Sequence, residues 1–353
     1  MTGPVPGRKS ARALVVCGLL LYLENASPGY LFHLGVGQAK ILAGRRPIQQ
    51  VLEDPAVSGE IKERLALIGE AKEYAQTHIG LAGSDTYTDY YQVPGPAVAY
   101  VLVASPALEL RAYSWCFPVV GCMPYKGFFS LDRARGEQQR LDRKGFDTHL
   151  RRVSAYSTLG WFKDPVFSTM LADNPAGLIE TVIHEMVHGT VFVRHKVEFN
   201  EGIATFVGRQ GAIEFLEHRF GPEAPACVWA RDRTADERLF QQFFVGLRDR
   251  LSALYASPLP EEEKRLRKQA LLEDARKEYR LLLPRFRTQG FAALLNKEWN
   301  NALVVSFLTY IKDLSLYERL YEKLGRNLRE MVRFLRGLEK DADPERRIEE
   351  FVS

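Results

Sequence analysis

The amino-acid sequence predicts an α+β fold, with a small β-sheet in an N-terminal lobe, one central apolar helix and a mainly helical C-terminal lobe. Three observations predict it. Runs rich in β-branched and aromatic residues, bounded by Pro, Gly and Ser, are confined to the stretch between Ala97 and Leu159. From Pro175 onward nearly every segment carries apolar residues at helical spacing. At the start of that helical region lies a short, strongly apolar segment, Gly177 to Gly189, whose N-terminal side is punctuated as a helix start. The chain has 353 residues, 46% of them hydrophobic, enough for a sizeable core spread over about two domains or lobes.

Taken in order, the chain opens with Arg8, Lys9 and Arg12, followed by an apolar run from Ala13 to Leu23 that Glu24-Asn25-Ala26-Ser27-Pro28 breaks. This is the pattern of a secretory signal, and the run is too short for a comfortable membrane span. Residues 1–28 therefore read as a signal peptide or, because no clean A-x-A site is present, as an N-terminal anchor. The chain is expected to be exported to the periplasm or cell envelope. Residues 29–95 form a helical segment, with Leu31, Leu34 and Ile41 in one stretch and Ile48, Val51, Leu52, Ile61, Leu65 and Ile68 in the next. Residues 96–210 form the core unit. Its strands are expected at Ala97 to Ala104, Leu108 to Ser114, Tyr125 to Leu131 and His149 to Leu159, ahead of the central helix. Residues 211–353 form the helical lobe, with helices expected at Thr234 to Tyr255, Glu261 to Leu283, Phe291 to Leu314 and Leu316 to Leu338. No internal repeat is visible. Beyond the apolar run three cysteines remain, Cys116, Cys122 and Cys227. Cys116 and Cys122 flank a turn-rich segment that closes a small disulfide loop in an oxidising compartment, or they are buried free thiols; the sequence leaves both open.

The central helix carries the chemistry. Asp173-Asn174-Pro175 supplies a cap and a proline suited to the first turn. Leu178, Ile179, Val182, Ile183, Met186 and Val187 make most of its surface apolar, so two histidines there are costly unless something binds them. His184 and His188 are four residues apart and share a face, with Glu185 one step round. A carboxylate, Glu201, follows in Phe199-Asn200-Glu201-Gly202-Ile203-Ala204. Zn²⁺ accepts imidazole nitrogen and carboxylate oxygen and, in catalytic sites, keeps a fourth position for water. His184, His188 and Glu201 are thus candidate ligands, and Glu185 is a candidate general base. The competing reading is a core helix with two hydrogen-bonded histidines, and Glu201 weighs against it. A third histidine ligand in the pattern H-E-x-x-H-x-x-G-x-x-H does not fit: Gly189 comes too early and His195 one position late.

The net charge of +4 is modest and the basic residues are interleaved with acids, as in Glu261 to Lys268. That reads as a solvated helical face, and no nucleic-acid partner is expected.

The pairing of H-E-x-x-H with a downstream N-E-x-x-A resembles the gluzincin clan of zinc metallopeptidases. The resemblance implies a zincin-like core with His184, His188 and Glu201 on zinc and Glu185 as base. The gap between the motifs is shorter, by about half a dozen residues, than in the better-known members, which implies a shorter connecting loop. Over a longer span, Pro118 to Phe129, Ala155 to Pro165, the zinc motifs and Trp299 to Ala302 are similar to a bacterial family of predicted aminopeptidases. Many of its members carry a lipoprotein cysteine before the Gly-Tyr pair matching Gly29-Tyr30, where this chain has Ser27 and Pro28. Gluzincins also supply a Tyr or His that steadies the developing charge. Tyr255, Tyr279, Tyr310, Tyr317 and Tyr321 are candidates, and Tyr310, after Asn300-Asn301-Ala302, is favoured among them, although a purely core tyrosine is the stronger reading. Thr205 stands where some relatives place an acid that orients a ligand histidine.

The strand reaching Tyr156, Ser157, Thr158, Leu159 and Gly160 lies just before the metal helix. As an edge strand it could hold an extended peptide by main-chain pairing; an ordinary edge is the alternative. The sequence thus reads as a zinc-dependent peptide hydrolase, provisionally an aminopeptidase, with peptides as its partner and membrane association only through the N-terminus. A zinc endopeptidase and a non-catalytic, metal-stabilised peptide-binding envelope protein are the alternatives. Glu185 argues against the last, because a structural zinc site has no use for a base. Oligomeric state is not legible.

Overall fold

The computed structural model describes residues 27–117, 121–156, 163–172, 174–309 and 313–353. Most of the N-terminal signal or anchor segment lies outside the described residues. Among those described, no helix is long and apolar enough to cross a membrane.

The architecture is α+β, as expected. Helix α1 (Pro28–Gly44) starts where the Ser27 hydroxyl accepts the Tyr30 N–H, with Pro28 in the first turn. Helices α2 (Ile48–Glu53) and α3 (Gly59–Tyr74) follow, and α3 runs into a single π turn, Ala75–Ile79, that ends on Gly80. Strand β1 (Arg46–Pro47) pairs antiparallel with β2 (Asp89–Tyr91), which pairs in parallel with β8 (Val166–Phe167). The second sheet has β3 (Ala99–Pro106) at its centre, between antiparallel β6 (Lys126–Phe128) and β7 (Phe146–Val153). A short hairpin, β4 (Trp115–Phe117) and β5 (Gly121–Met123), sets Cys116 opposite Cys122, and their sulfurs are bonded. Cys227 is a buried free thiol.

Two expectations for this half need correction. Leu108 to Ser114 is not a strand. The carbonyls of Pro106, Ala107 and Glu109 are taken by the Asn301 side-chain amide rather than by a neighbouring strand, and pairing resumes only at Trp115. The strand expected over Tyr125 to Leu131 stops at Phe128, because Ser130 caps a helix, α4 (Leu131–Asp142), by accepting the Arg133 N–H. Half of that helix is charged and it buries only Ala134 and Leu141, so it has little apolar periodicity to announce it.

The central pair is α5 (Pro175–His188) and α6 (Val197–Phe220). Asn174 caps α5 through the Ala176 N–H at 3.0 Å. Ile179, Val182 and Ile183 are fully buried, each contributing about 1.5–3 kcal/mol relative to exposure. The two helices lie antiparallel and very close. A Cβ on Gly208 would sit 2.9 Å from the Glu180 carbonyl and 3.1 Å from the His184 Cβ, so only glycine lets α6 approach the histidine helix at that level.

The rest is helical: α7 (Pro225–Ala256), α8 (Glu261–Leu282), α9 (Asn301–Leu308), α10 (Ser315–Lys323), α11 (Leu328–Arg336) and α12 (Pro344–Val352). The single helices expected at Phe291 to Leu314 and Leu316 to Leu338 are each broken. In the first, a 3₁₀ stretch, Phe291–Asn296, is followed by a new start where the Asn300 side chain accepts the Leu303 N–H. In the second, Gly325 and Arg326 both take left-handed backbone (φ 69° and 58°), which no helix continues through.

The principal core gathers α3, α5, α6 and the C-terminal helices; a second cluster joins α7, α8 and α9 around Phe244 and Tyr279. A polar clamp ties the helical part to the second sheet. Asp147 accepts from Lys268 and from the Asn301 N–H, while the Asn300 amide donates to the Thr148 carbonyl.

Candidate metal centre

Three side chains converge where α5 ends and α6 begins. The Nε2 atoms of His184 and His188 are 3.1 Å apart, and the Glu201 carboxylate lies 3.7 Å from the first and 3.3 Å from the second. Ligand atoms held about 2.1 Å from a tetrahedral ion are separated by about 3.4 Å, so this triangle fits one zinc-sized cation without rearrangement. Among the described residues this is the single group of His, Cys, Asp or Glu so placed. The site is open on one side: the side chains of His184, His188 and Glu201 keep 21%, 26% and 42% of their exposure, which leaves room for water.

The short connection is what brings Glu201 back. Asn200, 3% exposed, accepts the Val193 N–H at 2.9 Å and donates to the Val193 carbonyl at 2.8 Å, closing the turn between the helices. Asn200→Ala strands the Val193 N–H in the interior, while the Val193 carbonyl keeps the Lys196 N–H at 3.3 Å. The expected loss is about 1–3 kcal/mol, the cost of one unsatisfied buried group, together with weaker metal binding; urea unfolding and zinc titration measure the two. His195 lies on this connection, exposed and left-handed (φ 62°), and is not one of the converging donors.

Glu185 sits beside the triangle. Burial raises its carboxyl above the ordinary range, His188 opposes this, and Asp164 and Glu201 add to it. Asp164 itself is 8% exposed. Its position follows from the first sheet: the parallel pairing of β2 with β8 is continued by the Tyr87 N–H, which donates to the Asp164 carbonyl at 2.9 Å. Tyr87 is buried, holds left-handed backbone (φ 57°), and its hydroxyl is kept protonated by burial and by the charges of Glu185 and Asp164. The sequence gives no local sign of Tyr87 or Asp164 as neighbours of the base, because a pairing between distant strands brings them there.

The other candidates fall as follows. Tyr156 follows the end of β7; its hydroxyl bonds the Gln38 side chain at 2.5 Å and its ring packs between Phe129 and Phe167. Ser157, Thr158, Leu159, Gly160 and Tyr310 lie outside the described residues. The other four tyrosines spend their hydroxyls in the core: Tyr255 on Asn301, Tyr279 on the Phe291 carbonyl, Tyr317 on the Phe199 carbonyl and Tyr321 on Glu214. Thr205 donates to the Glu201 carbonyl one turn back in its own helix, so its hydroxyl proton is not available to orient a histidine.

No curated protein and no solved structure matches the chain. A family model described as "Putative aminopeptidase" matches residues 29–349, nearly the whole of the described structure. The chain belongs to that family.

Proposed function

We propose that this protein is a zinc-dependent aminopeptidase in which His184, His188 and Glu201 hold the metal and Glu185 is the general base. The observation that carries the proposal is the donor triangle with a half-buried carboxylate beside it; the family supports peptide hydrolysis as the reaction class. Zinc bound there supplies a Lewis acid for the scissile carbonyl and a water of lowered pKa. Glu185 accepts a proton from the attacking water and returns it to the departing amine nitrogen. Burial raises its carboxyl pKa, which suits it to hold the proton between the two transfers. Tyr310 as donor to the charge developing on the carbonyl oxygen, and the 156–160 segment as the strand that holds the peptide, belong to the same proposal. Export to the cell envelope is supported by the basic-then-apolar N-terminus and by the Cys116–Cys122 disulfide, which persists in oxidising compartments.

Metal analysis of the purified protein, with mass spectrometry of its products from peptides bearing free or acetylated N-termini, tests the reading. The expected result is one zinc per chain and stepwise loss of N-terminal residues from the free-amine peptides alone. Internal cuts in acetylated peptides assign an endopeptidase, and intact peptides with zinc bound overturn hydrolysis.

A further inference from the structure

A cavity of about 570 Å³ opens between β7, α6, α7 and the 3₁₀ stretch before α9. Three chain segments place it on the line of the metal centre. Glu180, one turn before His184, lies 3.7 Å from the Arg209 guanidinium, and Arg209 lines the cavity. Arg209 is itself two turns beyond Glu201 on α6. On β7, His149 and Arg151 line the cavity while Tyr156, further along the same segment, feels the charge of Asp164, which acts on Glu185.

The lining is basic above an apolar floor. Arg209 and Arg233 share one carboxylate, Glu237, at 2.6 and 2.8 Å. Glu180 is only partly ionised near neutrality, because burial pushes its carboxyl up to about 7 against the pull of Arg209. Lys297 also lines the cavity, and His149 is held neutral, its pKa lowered to about 4 by burial and then by Lys297 and Arg151. The Arg233 guanidinium lies over the Phe291 ring, 4.6 Å from its centroid, and Phe240 and Leu294 complete the floor. A stacked guanidinium is pre-organised for a planar anion, and apolar walls strengthen the attraction.

We infer that this cavity receives a carboxylate of the peptide substrate, carried about three residues beyond the bond that is cut and flanked by an apolar group. The inference rests on the peptide-hydrolase reading of the metal centre. The reach follows from the helix: the eight residues from Glu201 to Arg209 span about 12 Å, which an extended peptide covers in three to four residues at about 3.3–3.6 Å each. The carboxylate is the peptide's own C-terminus or an acidic side chain at that position.

The test compares kcat/KM for apolar peptides ending in a free acid with their C-terminal amides, from dipeptides to octapeptides, on wild type, Arg233→Gln and Lys297→Gln. Using a ratio on each enzyme cancels differences in folding or metal content. The expected wild-type ratio is about ten- to hundredfold, the size of a charge-assisted pair. It should peak where three residues follow the scissile bond and fall several-fold in each variant. Amidated peptides carrying Asp at that position identify the source: equal gain assigns a side chain, no gain assigns the terminus. A wild-type ratio near one for both sources at every length, or a ratio untouched in both variants, overturns the inference. Calorimetry of the tetrapeptide acid and amide on Glu185→Gln separates it from the reaction itself. If no peptide is cut yet the acid alone binds, and the binding is lost when Arg233→Gln is added, the hydrolase reading fails and the carboxylate site stands.

Discussion

Glu185→Gln is expected to lower kcat by about 10²–10⁴-fold, the usual yield of a positioned proton acceptor, while zinc content stays at the wild-type level. The amide keeps the shape of the side chain and loses its basicity. Glu185 is not among the three donors that converge, so replacing it leaves the 3.1–3.7 Å triangle intact. Steady-state hydrolysis and metal analysis on the same preparation give both readouts. Turnover within tenfold of wild type would remove Glu185 from the role of base and turn attention to Asp164, the next carboxylate in its field.

Glu201→Ala is expected to abolish both metal retention and activity. Two imidazoles on adjacent turns then remain where three donors stood, and only the third comes from the other helix. A metal that binds the folded chain alone stabilises it by about 2.7 kcal/mol at a hundredfold excess over its dissociation constant. Wild type should therefore melt at a higher temperature with zinc than with a chelator, and the variant at the same temperature in both. Zinc retained in the variant through dialysis would show that Glu201 is not a ligand.

The donor set was legible because its signal is local. Two histidines at helical spacing, a capped apolar helix and a carboxylate shortly after it need no knowledge of the rest of the chain. The class of fold was legible for a similar reason, since strand-like and helix-like runs occupy separate stretches of sequence. What failed was local pattern overruled by distant partners. Leu108 to Ser114 has strand-forming residues, but Asn301 takes the neighbouring carbonyls. Asn300 and Asn301, noticed only as part of a family resemblance, prove to be a cap and a clamp on the second sheet. Tyr87 and Asp164 reach the base through a parallel pairing across some 75 residues of chain, and Arg209 reaches Glu180 because Gly208 lets two helices touch. None of these has a spacing that a reader could recognise.

The helix–turn–helix that carries His184, His188 and Glu201 is closed by Asn200 within itself. Its contacts have low contact order, whereas the clamp onto the second sheet joins residues more than a hundred positions apart. Short-range contacts form early in folding because little loop-closure entropy opposes them. The helix–turn–helix can therefore assemble before that clamp closes, and a cation held by its three donors would fasten the pair while the remainder condenses.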